Sequence, residues 1–130
     1  MQGIMPFIFV AVGGLIGSVC RYGLTLLLGS ASPIMPSWGT LASNLAGCLI
    51  IGMVSQLGSE TALLSPAARL FLATGFCGGF TTLSSLIYEL VQMVRAGEWL
   101  YATLYLNGTV FGAITAFLIG VSVMKLLTKT

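Results

Sequence analysis

Four membrane-crossing helices packed as one all-α domain, with the third broken near its middle, is the fold class this sequence predicts. Three observations carry that reading. Hydrophobic residues fill 57% of the 130 positions and charged residues 6%, where soluble domains carry roughly a quarter charged residues. Five Lys+Arg, three Asp+Glu and no His leave no arrangement that gives water a charged, patch-free surface, and the mean hydropathy is +1.05. Four stretches, 6–28, 38–58, 66–95 and 99–127, each reach the roughly 20 apolar residues that a helix needs to cross a hydrocarbon core of about 30 Å.

The first stretch has no basic residue ahead of it and no cleavage site with the right flanks, so it reads as a retained span rather than a leader peptide. Turn formers crowd the next connection, Gly29-Ser30-Ala31-Ser32-Pro33-Ile34-Met35-Pro36-Ser37, and Gly58-Ser59-Glu60-Thr61 is expected to end the second span in the same way. Ser65-Pro66 supplies an N-cap and a first-turn proline for the third span. Arg95-Ala96-Gly97-Glu98 is a short polar connection, after which Trp99 and Tyr101 read as interfacial aromatics. Small residues recur four apart at Gly13 and Gly17 and at Gly108 and Gly112. Such faces let backbones approach in lipid, within one bundle or between two copies.

The composition also excludes function classes. Without His, and with its acids scattered at Glu60, Glu89 and Glu98, the chain lacks the groups for general base work or metal ligation by side chains, and an enzyme is not expected. Its net charge of +2 comes from too few groups to make a basic patch, so nucleic acid is not an expected partner. Cys20, Cys48 and Cys77 each lie in an apolar stretch and read as buried small hydrophobes rather than disulfide partners or reactive thiols. Lys and Arg split almost evenly between the two faces: Arg69, Lys125 and Lys129 against Arg21 and Arg95. A chain with so weak an orientation signal is able to insert both ways and pair with itself antiparallel, while short loops and one orientation account for the same counts.

Polar chemistry inside the spans marks the candidate site. In the third, Gly75, Gly78 and Gly79 are followed by Thr81, Thr82, Ser84 and Ser85, which is poor helix material and predicts a break. Irregular backbone at that depth is tolerated only where protein or a cavity surrounds it, and it offers carbonyls to a cation and amides to an anion. A glycine-rich packing crossover, with hydroxyls bonded back to their own helix, is the alternative. Asn44 in the second span carries two N–H donors. Tyr105 and Thr109 share one face of the fourth, with Tyr101 a turn earlier, and Asn107 is read as an interhelical bond. Together they suggest a narrow polar lane. Arg21 and Glu89 are ionisable groups in or near apolar spans.

Laid side by side, these motifs resemble the Fluc (CrcB) family of bacterial fluoride channels along nearly the whole chain. The likeness rests on Gly13-Gly14 with Gly17 and Cys20-Arg21-Tyr22, and on Gly39-Thr40-Leu41 with Asn44-Leu45-Ala46-Gly47. It continues through Thr74-Gly75-Phe76-Cys77-Gly78-Gly79-Phe80-Thr81-Thr82 with Ser84, Ser85 and Glu89, to Tyr105 with Thr109; the third-span string is the specific part. The resemblance implies a passive fluoride channel of the bacterial inner membrane, built as an antiparallel dual-topology homodimer with two ion pathways. A structural sodium ion on the twofold axis would be held by main-chain carbonyls that map onto Gly78 and Thr81. The implied pathway runs over Asn44, Thr82, Leu83, Ser84, Ser85, Leu86, Tyr105 and Thr109, with Arg21, Thr40 and Glu89 as vestibule or structural polar groups.

One departure stands out. The family carries a Phe-Ser-Thr-Phe box where this chain has Leu83-Ser84-Ser85-Leu86, and a leucine methyl lacks the positive ring edge of a phenyl group. Ala113, one turn beyond Thr109, stands where some members have serine. Two other readings remain at this point: a non-conducting or partner-dependent homologous subunit, which accounts for the missing rings, and a small dual-topology multidrug-type transporter, for which Glu89 is the only candidate membrane carboxyl.

Overall fold

The computed structural model describes residues 3–29, 35–60 and 64–128. Its elements are α1 (Met5–Leu28), α2 (Trp38–Glu60), α3 (Pro66–Arg69), a π-helical segment (Leu70–Cys77), α4 (Gly78–Phe80), α5 (Leu83–Arg95) and α6 (Trp99–Thr128). Met5–Leu28, Trp38–Gly58, Pro66–Arg95 and Trp99–Thr128 are long and apolar enough to cross a membrane, in agreement with the four predicted stretches. No strand occurs among the described residues.

The helix ends follow their local chemistry. The Ser37 hydroxyl accepts from the Thr40 amide at 3.3 Å and starts α2, and the Ser65 hydroxyl accepts from the Ala68 amide at 3.2 Å ahead of Pro66. After Arg95, the Glu98 amide bonds the Met93 carbonyl and the Gly97 amide bonds that of Val94. Gly97 takes φ +82° between them, a left-handed cap that only glycine adopts without strain. The expected turn at 58–61 is a different matter. Helix α2 continues through Gly58 to Glu60, and the Arg69 side chain lies across Gly58 with Nη1 donating to its carbonyl at 3.4 Å, so a cation takes up a carbonyl of the last turn. The remainder of the two predicted turns, 30–34 and 61, and Lys129 lie outside the described residues.

Helix α1 packs on the π segment and α4, α2 runs along α6, and α5 returns against α6. Two seams are closed by glycine. A Cβ on Gly13 or Gly17 would run into the carbonyl oxygens of Phe71 or Phe76, and one on Gly52 or Gly120 into those of Phe117 or Leu49. The first of the small-residue faces is therefore used inside the protomer. On the second, Gly112 abuts Leu45, whereas Gly108 is exposed and has nothing within 4 Å of where its Cβ would lie. The buried apolar cluster is small, formed by Leu86, Met93, Ala102 and Tyr105. Large apolar side chains such as Leu15, Val19, Leu27, Phe111 and Leu126 point outward, the inverse of a water-soluble bundle. The three cysteines are free, with Cys77 buried and Cys20 exposed.

The seams give a direct expectation. Gly17→Ala and Gly120→Ala should each lower stability by about 1–3 kcal/mol through overpacking, while Gly108→Ala should not lower protomer stability. Thermal unfolding of the purified variants in detergent separates the two groups.

Candidate functional site

The third segment is interrupted at Thr81 and Thr82, which are extended (φ −87°, ψ 156° and φ −152°, ψ 119°) between α4 and α5. Of the glycines and hydroxyl residues that together predicted the break, Thr81 and Thr82 are its location and the glycines are not. Gly75 lies in the π segment, and Gly78 and Gly79 are helical. Gly75 and Gly79 serve close packing, since a Cβ on the first would lie 2.9 Å from Gly13 Cα and one on the second would strike the Gly14 carbonyl. The wider i→i+5 ring of the π segment belongs to the same stretch.

The polar groups released by the interruption are taken up by other helices, as an apolar surrounding requires. The Thr82 amide donates to Asn44 Oδ1 at 2.7 Å, and Asn44 Nδ2 donates to the Thr82 carbonyl at 3.1 Å. The Gly79 carbonyl accepts from Arg21 Nε at 3.2 Å and from the Ser18 hydroxyl at 3.5 Å. Arg21 is thus anchored on the break. Ser18 was not singled out from the sequence, although it lies three residues before Arg21, on the same helical face. The Thr82 hydroxyl accepts from the Ser85 amide at 3.2 Å and lies 3.1 Å from each of the Ser84 and Ser85 hydroxyls, capping α5. The Thr81 amide and hydroxyl both donate to the Cys77 carbonyl at 2.9 Å.

A second polar centre joins three elements. Glu89 on α5 accepts from the Thr40 hydroxyl through one carboxyl oxygen and from the Tyr105 hydroxyl through the other, each at 2.6 Å. Thr40 and Tyr105 are 3% and 6% exposed, whereas Glu89 between them is half-buried. Thr109, also buried, donates to the Tyr105 carbonyl at 2.8 Å within its own helix. Asn107 is exposed and bonds the Thr103 carbonyl at 2.8 Å, an intrahelical bond where an interhelical one was expected.

Two grooves run beside these centres. One, of about 360 Å3, brings together Asn44, Thr82, Leu83, Leu86 and Thr109 with Ala113. The other, of about 270 Å3, is lined by Trp38, Leu41, Tyr101, Tyr105 and Gly108, and Thr109 lines both. Ser84 and Ser85 do not line the first groove; their hydroxyls bond that of Thr82, which does. The two box leucines differ: Leu83 is 71% exposed at the groove mouth, whereas Leu86 is 3% exposed in the apolar cluster. No group of three or more His, Cys, Asp or Glu side chains able to hold a metal occurs among the described residues, so a cation here would depend on backbone oxygens.

Residues 8–121 match the family described as CrcB-like protein, Camphor Resistance (CrcB). The chain belongs to the CrcB-like family. A relative from Chlorobium phaeobacteroides (strain BS1), named fluoride-specific ion channel FluC, is 47% identical over 119 residues, 92% of each chain. The protein of that name from Chlorobium chlorochromatii (strain CaD3) is 46% identical over 114 residues, 88% of each. One from Leptospira interrogans (serovar Lai, strain 56601) is 38% identical over 118 residues, 91% of this chain and 93% of its own. With four apolar membrane-spanning stretches, this CrcB-like chain is a multi-pass membrane protein.

The Glu89 centre is testable apart from any transport. Tyr105→Phe and Thr40→Val should each cost about 0.5–1.5 kcal/mol by removing one hydrogen bond to a half-buried carboxyl, and the double variant should depart from additivity. Unfolding of the four proteins in one detergent gives the coupling.

Proposed function

We infer that this CrcB-like protein is a passive, fluoride-selective ion channel that lets fluoride leave the cell, with no covalent chemistry. The observation that carries the reading is the match along about nine-tenths of both chains to relatives named fluoride-specific ion channels. As a channel it is not an enzyme. Helical spans, rather than the β-barrel of outer-membrane proteins, support a place in the bacterial inner membrane.

Fluoride is small and strongly hydrated, so a pore must replace its water with donors. The proposed lane follows the first groove: Asn44, then the Thr82 hydroxyl with those of Ser84 and Ser85 bonded to it, then Leu83 and Leu86, and Thr109 with Tyr105 beyond. The break adds a physical reason for anions to enter. It puts the N-terminus of α5, with its positive dipole end and hydroxyl cap, inside the span rather than at its edge. Arg21 stands one helix away on the Gly79 carbonyl. Thr40, Tyr105 and Glu89 act as a structural network at the end of the lane. Glu89 is poorly suited to exchange protons for a cationic drug, since both its oxygens are already bonded to buried hydroxyls, and the multidrug-type reading is set aside on that ground.

The working form in this proposal is an antiparallel dual-topology homodimer whose two third segments cross at their breaks, at mid-membrane. The open groove, the outward Leu83, and the bare Gly78 and Gly108 support a second copy covering this face. A structural sodium ion on the axis would take the Gly78 and Thr81 carbonyls of each copy, hard oxygen ligands that need no side-chain charge. Gly78 suits that place, because its exposed backbone has nothing within 4 Å of a built Cβ.

Fluoride efflux from liposomes containing only this protein tests the function. Wild type should conduct, Thr82→Val should cut efflux at least about tenfold, the loss of one buried donor bond, and Leu83→Phe should retain or raise it by returning a ring edge to the groove mouth. A wild type without flux, with Leu83→Phe conducting, would identify the partner-dependent subunit instead. Replacing sodium by a large organic cation, after time for a buried ion to exchange, should lower both flux and thermal stability; unchanged values in both would remove the sodium site.

A further inference from the structure

Asn44 is the group through which α2 reaches the interruption, and the way it does so assigns it a role. Its Oδ1 holds the Thr82 amide and its Nδ2 holds the Thr82 carbonyl, so one side-chain amide takes both backbone groups of one residue, as a neighbouring strand would. Three residues on, and so on the same face of α2, Gly47 leaves a notch that a Cβ would fill against the Thr81 methyl. Both residues of the break are gripped by α2.

The alternative that this grip prevents is visible in the backbone. Helical bonding runs unbroken through the Thr81 amide, which reaches the Cys77 carbonyl at 2.9 Å. The next bond of a continuous helix would run from the Thr82 amide to the Gly78 carbonyl. Gly78 is already helical (φ −62°, ψ −37°) and nothing crowds it. Thr81 has φ −87°, close to helical, and differs mainly in ψ. One extra helical bond therefore needs a change at a single torsion, Thr81 ψ, from 156° to the helical value of about −42°.

We propose that Asn44 is a positioning residue that keeps the break open, holding the Thr82 amide off the Gly78 carbonyl so that this oxygen stays available to a cation. The role rests on the channel and sodium readings for two of its readouts, and on neither for the third. Asn44 retains one further N–H beyond the two bonds to Thr82, so lining the groove and positioning the break are compatible.

The test uses the full chain in lipid vesicles, with Asn44→Leu, Asn44→Asp, a backbone ester in place of the Thr82 amide, and the ester combined with Asn44→Leu. Three quantities are read: fluoride efflux, the sodium concentration giving half-maximal protection against heat, and the unfolding temperature. Asn44→Leu and the ester should each cut efflux and raise the half-maximal sodium concentration about tenfold, the scale of one buried bond. The combination should be no worse than the worse single change, because both remove the same bond. Asn44→Asp keeps an acceptor for the Thr82 amide and should hold the sodium requirement within about twofold of wild type, even where its charge suppresses efflux. Independent, multiplying losses with an unchanged sodium requirement would overturn the proposal, as would non-additive losses that leave the sodium requirement unmoved. Should Asn44→Leu fail to fold, the contrast between Asn44→Asp and the ester decides the matter by the same criterion. A wild type that conducts no fluoride, but shows the coupling and the sodium shift, would defeat the channel reading and leave the clamp standing. Without sodium protection in wild type, additive effects of Asn44→Leu and the ester on unfolding temperature would overturn it.

Discussion

Hydrocarbon offers a peptide group no hydrogen bond, and each amide or carbonyl stranded there costs several kcal/mol. For most of this chain the helices settle that cost internally. At Thr81 and Thr82 they do not, and the surrounding architecture answers to that one interruption. Helix α1 brings Ser18 and Arg21 to the Gly79 carbonyl, α2 brings Asn44 to Thr82, and Thr82 closes the new helix end with its own hydroxyl. A chain with only eight Asp, Glu, Lys and Arg residues thus brings Ser18, Arg21 and Asn44 from two other helices to one interruption.

Close approach is the condition for that arrangement. A serine hydroxyl on α1 reaches a third-segment carbonyl only because the backbones nearly touch, and the glycines at 13, 17, 75 and 79 remove the side chains that would hold them apart. Packing and polar satisfaction are one design here. Widening the seam by a methyl group would strain the contact and draw the donors away from their acceptor together.

What was legible in the sequence followed from quantities that act locally. Span lengths emerge from runs of apolar residues, and the cap at Ser65 from the few residue types that satisfy a helix end. The break was assigned to the run of glycines and hydroxyls in the third segment, and it falls on the first two hydroxyl residues of that run, Thr81 and Thr82, not on its glycines. Packed against α1, those glycines stay helical, and the interruption falls where Asn44, 38 residues away in sequence, supplies the missing bonds. No local window contains that information. Glu89, Thr40 and Tyr105 were each visible as polar groups in apolar surroundings, but their meeting at one carboxyl depends on contacts across 49 and 16 residues. The difference between Leu83 and Leu86 was equally hidden, because exposure at a helix start is fixed by what packs beside it.

The Glu89 centre bears on how the chain is made. The ribosome delivers Thr40 first, then Glu89, and Tyr105 last. As the third span leaves the insertion machinery, its acid finds one hydroxyl donor already waiting on α2, while the other has yet to be synthesised. Until Tyr105 follows, one carboxyl oxygen of Glu89 is without its hydroxyl donor. Helix α6 thereby closes a centre that α2 and α5 leave half made, and one phenol fastens it to both.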